Sequence, residues 1–177
     1  MLLSELKQYA LNIATNNLLI GHTPSNKRFS TYTAEDVLTD IKDMTGNILM
    51  LELPEFNIKD ELSDNVRNVT TGAILLLKKA QQGNYIEVQS AYDTTLPIAV
   101  QALSKMQNDR KKANQPGAVS PESKMKHLDL NTVNIVDVGP VFDGWYGWRI
   151  NFQFNSPINL TLDESQWKPG TEIKWTF

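Results

Sequence analysis

Residues 148–154, "WRINFQF", alternate strictly between apolar and polar side chains. A period of two is the signature of a strand, with Trp148, Ile150, Phe152 and Phe154 on one face and Arg149, Asn151 and Gln153 on the other. A strand with one apolar face needs neighbours beside it and a layer over it. The first neighbour is predicted just upstream, in "LDLNTVNIVDV" at 128–138, where the alternation changes phase near Ile135–Val136 and implies a bulge or an edge position. The intervening "GPVFDGWYG" carries Asp143–Gly144, a strong hairpin-turn signal.

A second hairpin is predicted earlier in the chain. "NILMLEL", 47–53, is short, apolar and bounded by Gly46 and Pro54. "VRNVTTGAILLLKKA", 66–80, holds the run Ala73–Leu77, apolar at every position, as expected of a strand covered on both faces. The polar, acidic "PEFNIKDELSDN" reads as the long connection between them, and Gly72 as a bulge.

Three helices are expected. Leu3, Leu6, Ala10, Ile13, Asn17 and Ile20 recur at helical steps over 2–20, with Gly21 as a stop and a loop after it. Thr33 is a good N-cap for a helix over 34–44 with Glu35 and Asp36 in its first turn. Residues 85–109 form the long one, with Tyr85, Val88, Tyr92, Leu96, Ala99, Leu103 and Met106 as its buried face. Pro97 predicts a kink, or a break into two helices at Thr94–Leu96. Residues 108–123 read as a loop. The expected fold is therefore α+β: an antiparallel or mixed sheet of two hairpins with helices packed on one face, one domain over 1–156, and a C-terminal extension over 157–177.

Bulk properties narrow the function. The chain has 177 residues, 41% hydrophobic and 21% charged, an ordinary globular usage, and a net charge of −3 that gives no global field for nucleic acid. With no cysteine, disulfides and thiolate metal sites are excluded. The first residues, "MLLSELKQYALNI", lack the basic region of a signal peptide, and no apolar run of about 18 residues predicts a membrane span. His22 and His127 stand far apart without ligand spacing and are expected as surface residues, so no metal and no cofactor is expected. Neither a G-x-S-x-G elbow nor a Walker loop occurs, and no enzyme is expected.

What stands out is material for contacts. Asp60, Glu61 and Asp64 crowd the connection, without the spacing of a calcium loop; Arg110, Lys111 and Lys112 form a basic cluster with no interleaved aromatic. Opposite charges on separate segments suit a head-to-tail ring, in which one patch meets a different patch on the next subunit. Trp145 and Tyr146, left over at the hairpin turn, are candidate interface anchors, with packing onto their own helix as the alternative. The extension carries Ile158, Leu160, Leu162, Trp167, Ile173, Trp175 and Phe177, a large apolar set that must pack on its own domain or on a neighbour, and it is expected to cross to an adjacent subunit or a neck partner. The competing functional expectation is a small ligand-binding or enzymatic domain with a pocket under the aromatic hairpin.

In the order of its elements the chain resembles the tail terminator (tail completion) proteins of long-tailed bacteriophages. The N-terminal helix, the strand pair 47–53 and 66–80 with its acidic connection, the helix 85–109 and the closing pair 128–154 with "FDGWYGWRINFQF" carry the resemblance, over residues 1 to about 155. The second helix, the 108–127 segment and the extension depart from it. It implies a non-enzymatic virion protein of the tail or neck, assembled in the host cytoplasm, which caps the tail tube as a homohexameric ring and joins it to the head. Its partners would be copies of itself, the tail tube and neck or connector proteins. No membrane would be involved, and DNA would only pass through the lumen. Related neck proteins and caps of phage-like tails share this description.

Overall fold

The computed structural model describes residues 3–32, 41–59, 66–117 and 122–158. Within them, helix α1 (Leu3–Asn16) and strand β1 (Phe29–Tyr32) precede β2 (Asn47–Glu52), β3 (Glu55–Lys59) and β4 (Arg67–Lys79). The long helix α2 (Tyr85–Ala113) then leads to β5 (Leu128–Val141) and β6 (Trp145–Pro157). The fold is α+β, with a mixed six-stranded sheet in the order β1-β2-β4-β6-β5 and β3 pairing with β4. β1 runs parallel to β2; every other pairing is antiparallel.

β4 is the centre of the sheet because its composition permits burial on both faces. Ile74 and Leu76 join one core cluster with α1 (Leu6, Ala10, Ile13), α2 (Ile98, Ala102, Met106) and the inward face of β6 (Ile150, Phe152, Phe154). Leu75 and Leu77 point the other way, into a second cluster with Ile41, Met44, Ile48, Met50 and Trp145. The two described α-helices thus lie on one face, and at this end of the sheet the segment around the 3-10 turn Ile41–Asp43 covers the other. The apolar set of 148–154 faces the helices as its alternation requires. Further along the opposite face Arg149 forms an ion pair with Glu52 at 2.6 Å. Of the helix expected over 34–44, residues 34–40 lie outside the described residues and 41–43 form that 3-10 turn.

Several expectations need correction. α1 stops at Asn16, and the chain turns through Asn17, whose carbonyl accepts the N–H of Gly21 at 2.8 Å; Gly21 itself has φ +60°. The loop expected after it, residues 22–28, is present, and β1 at Phe29–Tyr32, for which no strand was expected, follows it. Residues 55–59, expected as part of the acidic connection, continue the β2 path as β3 after the Leu53–Pro54 interruption. Gly72 is no bulge: β4 keeps register with β6 through Gly72↔Phe152. A Cβ there would sit 3.0 Å from the Phe152 ring, so glycine is the seat of that ring. The register shifts of β5 fall between Asp129 and Asn134 and between Val138 and Val141, not at Ile135–Val136, while its edge position is as expected.

α2 is one helix, unbroken at Pro97, and runs on to Ala113 through residues expected as loop. It starts at a reciprocal cap. Asn84 Oδ1 accepts the Glu87 N–H at 3.3 Å, and the Glu87 carboxylate accepts from Asn84 Nδ2 and from the Gln81 N–H, both at 2.8 Å. Proline removes one rung of the helix, and nearby side chains supply donors to that turn. Thr95 Oγ1 donates to the Ala91 carbonyl at 2.7 Å, and the Trp148 indole N–H donates to the Tyr92 carbonyl at 3.0 Å. The buried stripe is Ala91, Thr95, Ile98, Ala99, Ala102, Met106, Asp109 and Ala113. Tyr85 and Leu96, expected inside, are exposed. Small side chains let α2 lie close on the sheet, so the stripe is poor in the large apolar residues that define a helical face in sequence.

Candidate assembly surface

At the end of the sheet where Arg67 pairs with both Lys59 and Pro157, the cover gives out. All five residues of β3 are exposed, with Phe56 at 52% and Ile58 at 59% of full accessibility, and Leu53 just before them is exposed as well. Phe56 sits opposite Thr70, and Ile58 opposite Asn68, so both project from the helix-bearing face, beyond the helices' cover. One edge of β3 is hydrogen-bonded to β4; among the described residues no strand pairs with the other. A sheet edge with unpaired backbone groups and apolar side chains is a template for another strand. The last described backbone contact of β6 is here too: the Ile158 N–H donates to the Val66 carbonyl at 3.1 Å.

Asp60, Glu61 and Asp64, and Trp167 and Trp175, lie outside the described residues. Arg110, Lys111 and Lys112 occupy the last turn of α2, where the carbonyl end of the helix favours cations. Lys111 and Lys112 are exposed, whereas Arg110 is half-buried with its Nε inaccessible and unpaired.

Trp145 and Tyr146 are not exposed anchors. Trp145 is fully buried in the cluster with Ile41, Met44 and Leu77. Tyr146 is 6% exposed and packs on Ala80 and Ala91, edge-on to Tyr92 with ring centroids 6.1 Å apart. Adjacent strand residues point to opposite faces, so the turn places one aromatic in each layer, and Tyr146 takes the alternative of packing onto its own helix. The turn is tight: Phe142, Asp143 and Gly144 all have positive φ, and the Gly144 carbonyl accepts the Ala80 N–H at 2.9 Å.

A cavity of about 340 Å³ opens between α1 and α2, lined by Gln8, Tyr9, Asn12, Lys105 and Asp109 among others. There the Tyr9 hydroxyl donates to Asp109 Oδ2 at 2.8 Å, and Lys105 forms an ion pair with the same oxygen. Asp109 is 2% exposed. Burial, then the hydrogen bond to Asp109 and its charge, push the Tyr9 hydroxyl far above its ordinary range. It stays a donor and is no base. The cluster brings together titratable groups that sequence reading missed, yet the carboxylate is already matched by a hydroxyl and an ammonium, the arrangement of a staple between two helices. A signal for Asp109 did exist: it falls on the stripe of Ala102 and Met106, with Lys105 one turn before it.

His22 is structural. Its Nδ1 accepts the Arg28 N–H at 3.0 Å and its ring meets Phe29 edge-on. Burial first, then Lys27, lower its pKa, in keeping with a nitrogen that must stay unprotonated to accept. Among the described residues no three acidic, His or Cys side chains are placed to hold a metal ion, and no helix is long and apolar enough to cross a membrane. In comparisons with known proteins the chain matches no family model, no curated protein and no solved structure.

Proposed function

We propose that this chain is a structural ring subunit of a bacteriophage or phage-like tail, a terminator-like protein that caps the tail tube and joins it to the neck. The observation that carries the reading is the open end of the sheet. A well-paired strand pair extends past the helices and presents Phe56 and Ile58 on an edge free among the described residues. Such an edge is a template for pairing with another chain, and a head-to-tail assembly joins two different surfaces in this way. The element order behind the resemblance supports the same reading: a helix, an extended hairpin, a long helix and a closing hairpin. Electron microscopy of the purified protein at high concentration, alone and mixed with tail tubes, tests it. Closed rings, six-fold by the resemblance, are expected. A protein that forms no ring in either setting refutes the proposal.

A further inference from the structure

Residues 171–177, "TEIKWTF", alternate as cleanly as β6 does, with Ile173, Trp175 and Phe177 on one side and Glu172, Lys174 and Thr176 on the other. β3 has the matching pattern, Phe56 and Ile58 against Glu55, Asn57 and Lys59. We infer that residues 171–177 of one copy add as a strand to the outer edge of β3 of the next copy, a proposal that rests on the ring reading above.

Three observations select this occupant. Position is the first. Ile158 is hydrogen-bonded beside Val66, and Pro157, Arg67 and Lys59 form one row across the sheet. The chain therefore leaves the described fold about 10 Å, two strand spacings, from the tip of β3. Length is the second. Residues 159–170 span up to roughly 40 Å when extended, about four times that distance, so 171–177 are not confined to their own sheet.

Chemistry is the third. An antiparallel register that sets Trp175 opposite Phe56 and Ile173 opposite Ile58 also sets Glu172 opposite Lys59, an aromatic, an aliphatic and an ionic pair in sequence. Of the parallel registers, one sets Glu172 against Glu55, and the other pairs Lys174 with Glu55 but runs out at Phe177 opposite Ile58, so it spans one residue of β3 fewer and leaves Lys59 unpaired. Added this way, the strand would satisfy the free backbone edge and cover both exposed apolar side chains. It would also be a heterologous contact, in which two different surfaces meet, as a ring requires.

The chain has no cysteine, so engineered thiols report on one contact at a time. Ile58→Cys and Ile173→Cys would be introduced into separate chains, mixed at ring-forming concentration and treated with an oxidant or a short bis-maleimide. A covalent pair of the two chains is expected, since only contact between copies can form it; Ile86→Cys on the exposed side of α2 in place of Ile58→Cys should give none. The double variant Ile58→Cys/Ile173→Cys should give a ladder that ends at the ring size. An internal link without a ladder, with no link in the mixture, would overturn the proposal in favour of docking within one chain. Rings that form but never cross-link would overturn it and leave the ring reading intact. Cross-linked open chains without rings would uphold the docking and refute the ring.

Discussion

Two stretches of one strand behave differently in this fold. At Ile74–Leu77, β4 is flanked by β2 and β6 and covered above and below, so every side chain is buried. At Arg67–Thr71 it is flanked by β3 and β6, and β3 is exposed along its whole length. The ladder is continuous through both, so the difference lies in cover, not in pairing. Covered sheet supplies folding free energy; uncovered sheet leaves apolar area and backbone groups for a partner. A residue's cost to stability and its cost to assembly should therefore separate along β4.

The largest loss is expected at the covered end and its core. Phe152→Ala removes a fully buried ring seated over Gly72 and should cost about 3–5 kcal/mol in denaturant unfolding. Gln153→Ala, one residue on and on the other face, should cost about 0.5 kcal/mol. Equal losses would break the assignment of faces. Next is Gly147→Ala. A Cβ there would lie 2.0 Å from the Leu76 carbonyl oxygen, so β4 and β6 must part, at about 3 kcal/mol, the upper end of overpacking.

Tyr9→Phe removes a hydrogen bond to a buried carboxylate and should cost about 1.5–3 kcal/mol. It also has a pH signature. The folded pKa of Tyr9 is raised above its unfolded value near 10, so its contribution is complete below about pH 10 and is lost as pH rises beyond that. The alkaline fall in stability should be shallower in Tyr9→Phe than in the parent; an unchanged slope would remove the staple reading. The smallest effect on folding is expected at the open end. Phe56→Asp should change stability by about 0.5 kcal/mol while abolishing ring formation in electron micrographs. A variant that unfolds, or one that still forms rings, would erase the distinction between the two ends.

The parts legible in the sequence were those in which one residue's environment repeats at a fixed period. The alternation from Trp148 to Phe154 gave face and partner, Ala73–Leu77 gave double cover, and Asp143–Gly144 gave the turn. β3 escaped because its alternation spans only five residues with two apolar side chains, Phe56 and Ile58, and runs straight into the polar, acidic stretch after Lys59, so it looked like connection. The end of α2 escaped because its buried positions there are Asp109 and Ala113, one held by partners remote in sequence and the other too small to signal burial. Trp145 and Tyr146 misled because aromatic residues beside a turn are exposed only when the turn projects, and this one is clamped to Ala80.

The continuity of β4 also has a mechanical meaning. It is 13 residues long and paired with β6 from Arg67↔Pro157 to Lys79↔Trp145, with β2 and β3 along its other edge. A pull along the strand at the Arg67 end loads those rungs together, in shear, instead of peeling them one after another. Resistance to such a force is a matter of the rate of unfolding and not of equilibrium stability. A strand pair anchored in this way can transmit tension from its open end into the covered core without first coming apart at the tip.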